Sequence, residues 1–158
     1  MRGRPIYAII AICAVILSAG ANDALARSEG IVAKPSAYSV KETMDRLERI
    51  FKSKGIRIFA RIDHAKAAAS VGKQLQPSEL LLFGTPKIGT PLMQSNIISG
   101  IDLPLKALAY RQPDGQVYLI YNHPGYIARR HQIKDLYKLV HAISRILTNL
   151  TDAAVQKQ

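Results

Sequence analysis

The chain has 158 residues, 48% of them hydrophobic and 21% charged, with 22 Lys and Arg against 11 Asp and Glu for a formal net charge of +11. That length and balance suit one domain with a core of ordinary size rather than two. The single cysteine, Cys13, falls in an apolar leader, so the remainder carries no disulfide framework, no thiolate nucleophile and no sulfur metal ligand.

Arg2 and Arg4 precede an almost wholly apolar run from Ile6 to Ala21, and Ala24-Leu25-Ala26 supplies the small residues that a cleavage site needs. Residues 1–26 read as a signal peptide, which predicts a mature chain that starts at Arg27 and is periplasmic or secreted. The run falls short of the roughly 20 residues that a spanning helix prefers, and Asn22 and Asp23 end it, so no stable transmembrane anchor is expected after processing. Ile12, directly before Cys13, argues against lipidation there. The leader carries only Arg2 and Arg4 against Asp23, so the basic charge belongs to the mature domain. Export takes that domain away from nucleic acid, and its aromatic residues are not interleaved with basic ones as stacking platforms would be. The partners expected instead are anionic lipid headgroups, acidic envelope polymers or an acidic protein, beside the plainer reading that the charge serves solubility.

Residues 27–38, with Gly30 and Pro35 among small polar residues, read as a flexible linker. Ser39 and Glu42 form a capping box, and Val40, Met44, Leu47, Ile50 and Phe51 share one face of a helix that Gly55 ends. "IRIFARI" alternates as a strand, with Ile56, Ile58, Ala60 and Ile62 on one face and Arg57, Phe59 and Arg61 on the other. Asp63 then caps a helix with an Ala68, Val71 and Leu75 stripe, and "ELLLFG" is a strand apolar on both faces. A helix between two strands predicts a parallel β-α-β unit. After "FGTPKIGTPLMQ", Thr90 as N-cap and Pro91 as first helical residue start a helix that stops at Gly100. "LPLKALAY" and "QVYLIYN" make a hairpin about Pro113 and Gly115. His123-Pro124-Gly125 breaks the chain, and residues 134–150 form an amphipathic helix. The expectation is an α+β domain over residues 39–150, ordered α-β-α-β-α-β-β-α, with a mixed sheet of about four strands, and a polar tail over residues 151–158.

Gly84 and Gly89 have the spacing of a nucleotide-binding P-loop. Thr90 stands where its lysine belongs, however, and Pro91 replaces the hydroxyl residue that would hold magnesium, which excludes a nucleotide triphosphatase. Lys87, with the amides about Gly89 and Thr90, still suits a simpler anion, beside the reading that the glycines only permit a turn. Asp63 and His64, at a strand end, pair an N-cap with a neutral imidazole able to act as a base. Asp102 precedes a strand and Lys106 lies within it, while Tyr121 and Asn122 end the last strand. The four histidines lack metal-binding spacing, so no metal site is expected, and no cofactor is indicated.

Asp63-His64, "LLLFGTPKIGTPLM", "IDLPLKALAY", "DGQVYLIYN" and Arg129 to His131, in this order and spacing, resemble the bacterial and archaeal domain of unknown function 302 family over residues 40 to 148. The resemblance implies a compact two-layer α+β fold prone to dimerise, and brings no established activity. Its motifs mark Asp63, His64, Gly84, Pro86, Lys87, Gly89, Thr90, Asp102, Leu103, Pro104, Lys106, Tyr121 and Asn122, with Thr85 where relatives often carry asparagine. The resulting expectation is a binding domain in which Asp63, His64, Lys87, Thr90, Asp102 and Lys106 surround a small anionic ligand. The alternatives are an enzyme with His64 as general base and Lys87 as electrostatic stabiliser, or a purely structural domain.

Overall fold

A computed structural model describes residues 29–157; the predicted signal peptide lies outside the described residues. Five strands, β1 (Ile31–Ser36), β2 (Arg57–Asp63), β3 (Ser78–Gly84), β4 (Leu105–Arg111) and β5 (Val117–Asn122), form one sheet in the order β1-β5-β4-β3-β2. Every neighbouring pair is antiparallel. Helices α1 (Val40–Ser53) and α5 (Tyr137–Val155) pack on one face, where Met44, Leu47 and Phe51 meet Leu81, Phe83, Leu119, Ile143 and Leu147 in the main core. The class is α+β in two layers, as expected.

The mixed four-stranded sheet is corrected to five antiparallel strands, and the parallel unit does not form. Between β2 and β3 the chain makes only the short helix α2 (His64–Ala69). Val71 and Leu75, expected on its apolar stripe, are 71% and 54% exposed. Four alanines offer little area to bury, so nothing drives a long crossover helix onto the sheet.

The segment expected as a linker supplies β1, an edge strand paired with β5 from Ile31↔Asn122 to Ser36↔Val117. An edge tolerates Pro35 because one side of the strand needs no ladder bonds. At the other end α5 continues to Val155, with Thr151, Ala154 and Val155 buried, where a polar tail was expected. The Arg46 guanidinium donates to the carbonyls of Ala154 (2.9 Å) and Ala153 (3.1 Å), satisfying carbonyls that the last helical turn leaves open. The break at His123 begins a further helix, α4 (Pro124–Arg130), whose Gly125 amide donates to His123 Nδ1 at 3.0 Å. The serine half of the capping box at Ser39 forms, its hydroxyl accepting from the Glu42 amide at 3.2 Å. The β4–β5 hairpin closes through Gln112 N to Gln116 O at 2.8 Å, with Gly115 at φ +90°.

A bulge between Ile58 and Ala60 breaks the expected alternation of β2. Ile58 lies opposite Phe83 on the helix-covered face, but beyond the bulge Ala60 and Ile62 turn to the other face and Arg61 turns toward α1. There Arg61 meets Asp45 (2.6 Å), Glu79 (2.6 Å) and Glu48 (3.4 Å).

Candidate functional site

"GTPKIGTPLM" contains two Thr-Pro pairs, each able to begin a helix, and the first one does so. Thr85 is the extended N-cap and Pro86 opens α3 (Pro86–Ser95), so Gly89, Thr90 and Pro91 are helix interior. The Gly89 amide donates to Thr85 O at 3.0 Å. The expected loop amides are therefore spent in the helix ladder, and neither glycine has a positive φ.

The glycines border a cavity instead. A cavity of about 440 Å³ opens between the start of α3, the Leu103–Leu105 segment and Ile143, Ile146 and Leu147 of α5. Gly84, Gly89 and Gly100 all line it. A Cβ on Gly89 would meet Leu103 Cδ1 at 3.6 Å, and one on Gly100 would crowd Met93 at 3.1 Å. The walls come from Ile56, Phe83, Ile88, Leu103, Ile143 and Leu147, and the side chains lining the cavity include no charged group. Phe59, the residue at the bulge, and Ile146 line it while 49% and 46% exposed. A second groove of about 860 Å³ shares Ile56, Thr85, Pro86, Ile88 and Ile146 with the cavity and adds Lys54, Arg57 and Lys87. None of these three cations is paired with a carboxylate among the described residues. Arg57 lies over the Phe59 ring at 5.1 Å, tying the basic groove to the apolar mouth.

The other expected residues are dispersed. Asp63 caps α2, accepting from the Lys66 amide at 2.8 Å, and His64 is the first residue of that helix. Because Asp63 pairs with Glu79 while Arg57 pairs with Gly84, Asp63 and His64 stand at the opposite end of the sheet from Lys87, about 20 Å away at the usual strand rise. A catalytic pair of His64 and Lys87 is not assembled, nor is a pocket that gathers Asp63, His64, Lys87, Thr90, Asp102 and Lys106. Thr90 lines the cavity. Lys106 Nζ donates to the carbonyls of Asp102 and Pro104, both at 3.1 Å. Tyr121 is in the core with its hydroxyl 3.5 Å from Thr148 Oγ1, and Asn122 ends β5 opposite Ile31.

Asp102 is held by residues that the sequence marked only as part of the family resemblance: its Oδ2 lies 2.6 Å from Nε2 of the buried His131, and its Oδ1 accepts from Arg130 at 3.3 Å. The Asn96 side-chain amide donates to the His131 carbonyl at 2.9 Å, locking the turn after α3 onto α4. Among the described residues no three His, Cys, Asp or Glu gather as metal ligands.

The architecture is a five-stranded antiparallel sheet with helices on one face and an apolar cavity at one end, and among the described residues the side chains expected to form one site are not gathered. The family described as "Domain of unknown function DUF302" matches residues 32–154, and the chain belongs to it. A crystal structure of an uncharacterized conserved DUF302 protein from Bacillus stearothermophilus has the same fold, with a TM-score of 0.72 at 18% identity over 80% of this chain and 99% of that one. Curated relatives include fluoride-specific ion channel FluC 1 of Brucella suis biovar 1, 42% identical over 104 residues that make 66% of this chain and 41% of the relative. FluC 2 of Brucella melitensis biotype 1 matches at 42% identity over 66% of this chain and 38% of its own length. The chain spans about two fifths of these relatives.

Proposed function

We propose that this is an exported, envelope-located binding domain for a small amphiphile, with the apolar body in the cavity and an anionic group against Lys54, Arg57 and Lys87. The observation that carries the reading is the uncharged 440 Å³ cavity opening beside three cations that pair with no carboxylate among the described residues. Its volume suits a small molecule, and its dry walls favour carbon over a bare anion. The likeness to channel relatives fits an accessory module. Most of the shared stretch must lie in the described domain, where no helix is long and apolar enough to cross a membrane.

Thermal unfolding with decanoate and with decanol tests both halves of the proposal. Both should raise Tm, decanoate more, because charge-assisted contacts contribute about 1.5–3 kcal/mol; a hundredfold excess over Kd stabilises by about 2.7 kcal/mol. Gly89→Leu should abolish both responses by filling the cavity, and Arg57→Ala with Lys87→Ala should make the two ligands equal. Equal responses in the wild type would refute the anionic head; no response to either would refute the pocket.

The sheet face opposite α1 and α5 favours self-association. Ile62, Leu80, Leu108, Ile120 and Ala33 form one row across it, and Tyr110 stacks on Tyr118 beside them at 6.1 Å. Burial, reinforced by Tyr118, raises the Tyr110 pKa above its usual value. Lys106, also on this face, already donates to two carbonyls. Two copies of a chain with net charge +11 repel least through such a face, which supports a homodimer. Light scattering should give twice the chain mass, and Leu108→Lys should give the monomer; a monomeric wild type at every concentration overturns this reading.

A further inference from the structure

We infer a docking surface for an anionic lipid bilayer at the end of the domain formed by the 3-10 helix Ile97–Asp102 and the segment from α4 into α5. Ile97, Ile98 and Ile101 are 69%, 64% and 74% exposed within a single six-residue element. Three branched aliphatic side chains held in water on one short turn are costly for a protein with room to bury them, and bring a gain only where an apolar phase receives them. The turn is not loose. Asn96 Nδ2 bonds the His131 carbonyl, Ser95 Oγ donates to Asp135 at 2.6 Å, and Arg130 reaches Asp102, so the isoleucines are fixed beside residues 130–138.

That neighbouring segment supplies the chemistry of an interface. Tyr137 is 69% exposed with Lys138 Nζ 5.9 Å from its ring centroid, and Arg129, Arg130 and Lys134 of the same segment are exposed. The nearby acids are already engaged, Asp102 by His131 and Arg130, and Asp135 by Ser95. Aliphatic prongs, an amphipathic tyrosine and three cations, Arg129, Lys134 and Lys138, that pair with no carboxylate among the described residues match the chemistry of an anionic membrane surface: isoleucine below the headgroups, tyrosine among them and lysine or arginine at the phosphates. A protein partner would have to offer an apolar pocket ringed by carboxylates; the bilayer offers both features in the right order without a fitted shape.

The form starting at Arg27 isolates this surface from the apolar leader and retains all of residues 32–154, which the family matches. Co-flotation with vesicles of phosphatidylcholine alone, and with phosphatidylglycerol added, should show binding to the anionic vesicles at least tenfold tighter and lost in high salt. Ile97→Ser with Ile98→Ser and Ile101→Ser should reduce it at least tenfold with Tm unchanged, since these side chains are already in water. Lys134→Glu with Lys138→Glu should weaken it separately. Equal binding by the triple-serine variant, equal binding to neutral vesicles, or a wild-type dimer that becomes monomeric in the triple variant without any flotation would overturn the proposal, the last by assigning the surface to a second copy.

Discussion

Phe51→Ala should lower the free energy of unfolding by about 3–5 kcal/mol and Tm by on the order of 10–20 °C. Phe51 is fully buried in the last turn of α1, its ring centroid 4.4 Å from that of Phe83 at a tilt of 42°. Truncation removes both the transfer energy of a ring and its contacts with Phe83, and the sheet beneath cannot collapse to refill the space. Phe83 also forms a wall of the cavity, so loss of its support should weaken ligand binding as well as stability. Urea unfolding should show a lower midpoint with unchanged slope. Phe51→Leu, which keeps most of the volume, should cost about 1–2 kcal/mol. A loss under about 1 kcal/mol for the alanine variant would mean that the helix–sheet interface is not packed as described.

Much of this scaffold was legible because it is written in local signals. The capping box at Ser39, the apolar face of α1, Gly55 at φ +69° and the hairpin at Gly115 each depend on residues within a turn of one another. Strand direction is not local, and one error there displaced the expected site. Had β2 and β3 run parallel, Asp63-His64 and Lys87 would have followed strands ending at the same pole; antiparallel pairing sends them to opposite ends. The cavity was illegible for a different reason. Ile56, Leu103 and Ile143 are far apart in sequence, and Ile56 and Ile143 obey the same periodicity as ordinary core residues. The signals available were negative ones: Phe59 set between arginines on a face expected to meet water, and glycines in a segment that turned out helical without needing positive φ.

Arg61→Ala should cost about 1.5–3 kcal/mol at pH 7 and distinctly less at pH 3. The bulge at Phe59 is what brings this guanidinium to the α1 side, half-buried among Asp45, Glu48 and Glu79. Arg61 stays protonated, its pKa raised by Asp45 and Glu79 despite the opposing effect of burial. The Asp45 carboxyl is held below its usual range first by Lys41 and then by Arg61, and that of Glu48 first by Lys52 with Arg61 contributing. Depressed carboxyl values place their stabilisation above the unfolded values near about 4, and it is lost as pH falls through the folded values. The wild type should therefore lose stability on acidification from pH 5 to 3. In the alanine variant Asp45 and Glu48 keep their charge at pH 7 without the shared cation, so protonation relieves repulsion and the same acidification should cost less. Much of the attraction at Asp45 comes from Lys41, whose side chain is 76% exposed and screened by salt, which keeps that part small. Arg61→Lys should recover only part of the loss, because an ammonium cannot span Glu79 and Asp45 as the planar fork does. Denaturant midpoints of the three proteins across pH 3 to 7 decide the matter: a constant difference between wild type and Arg61→Ala over that range would show that Arg61 acts through packing, and that the bulge delivers volume rather than charge.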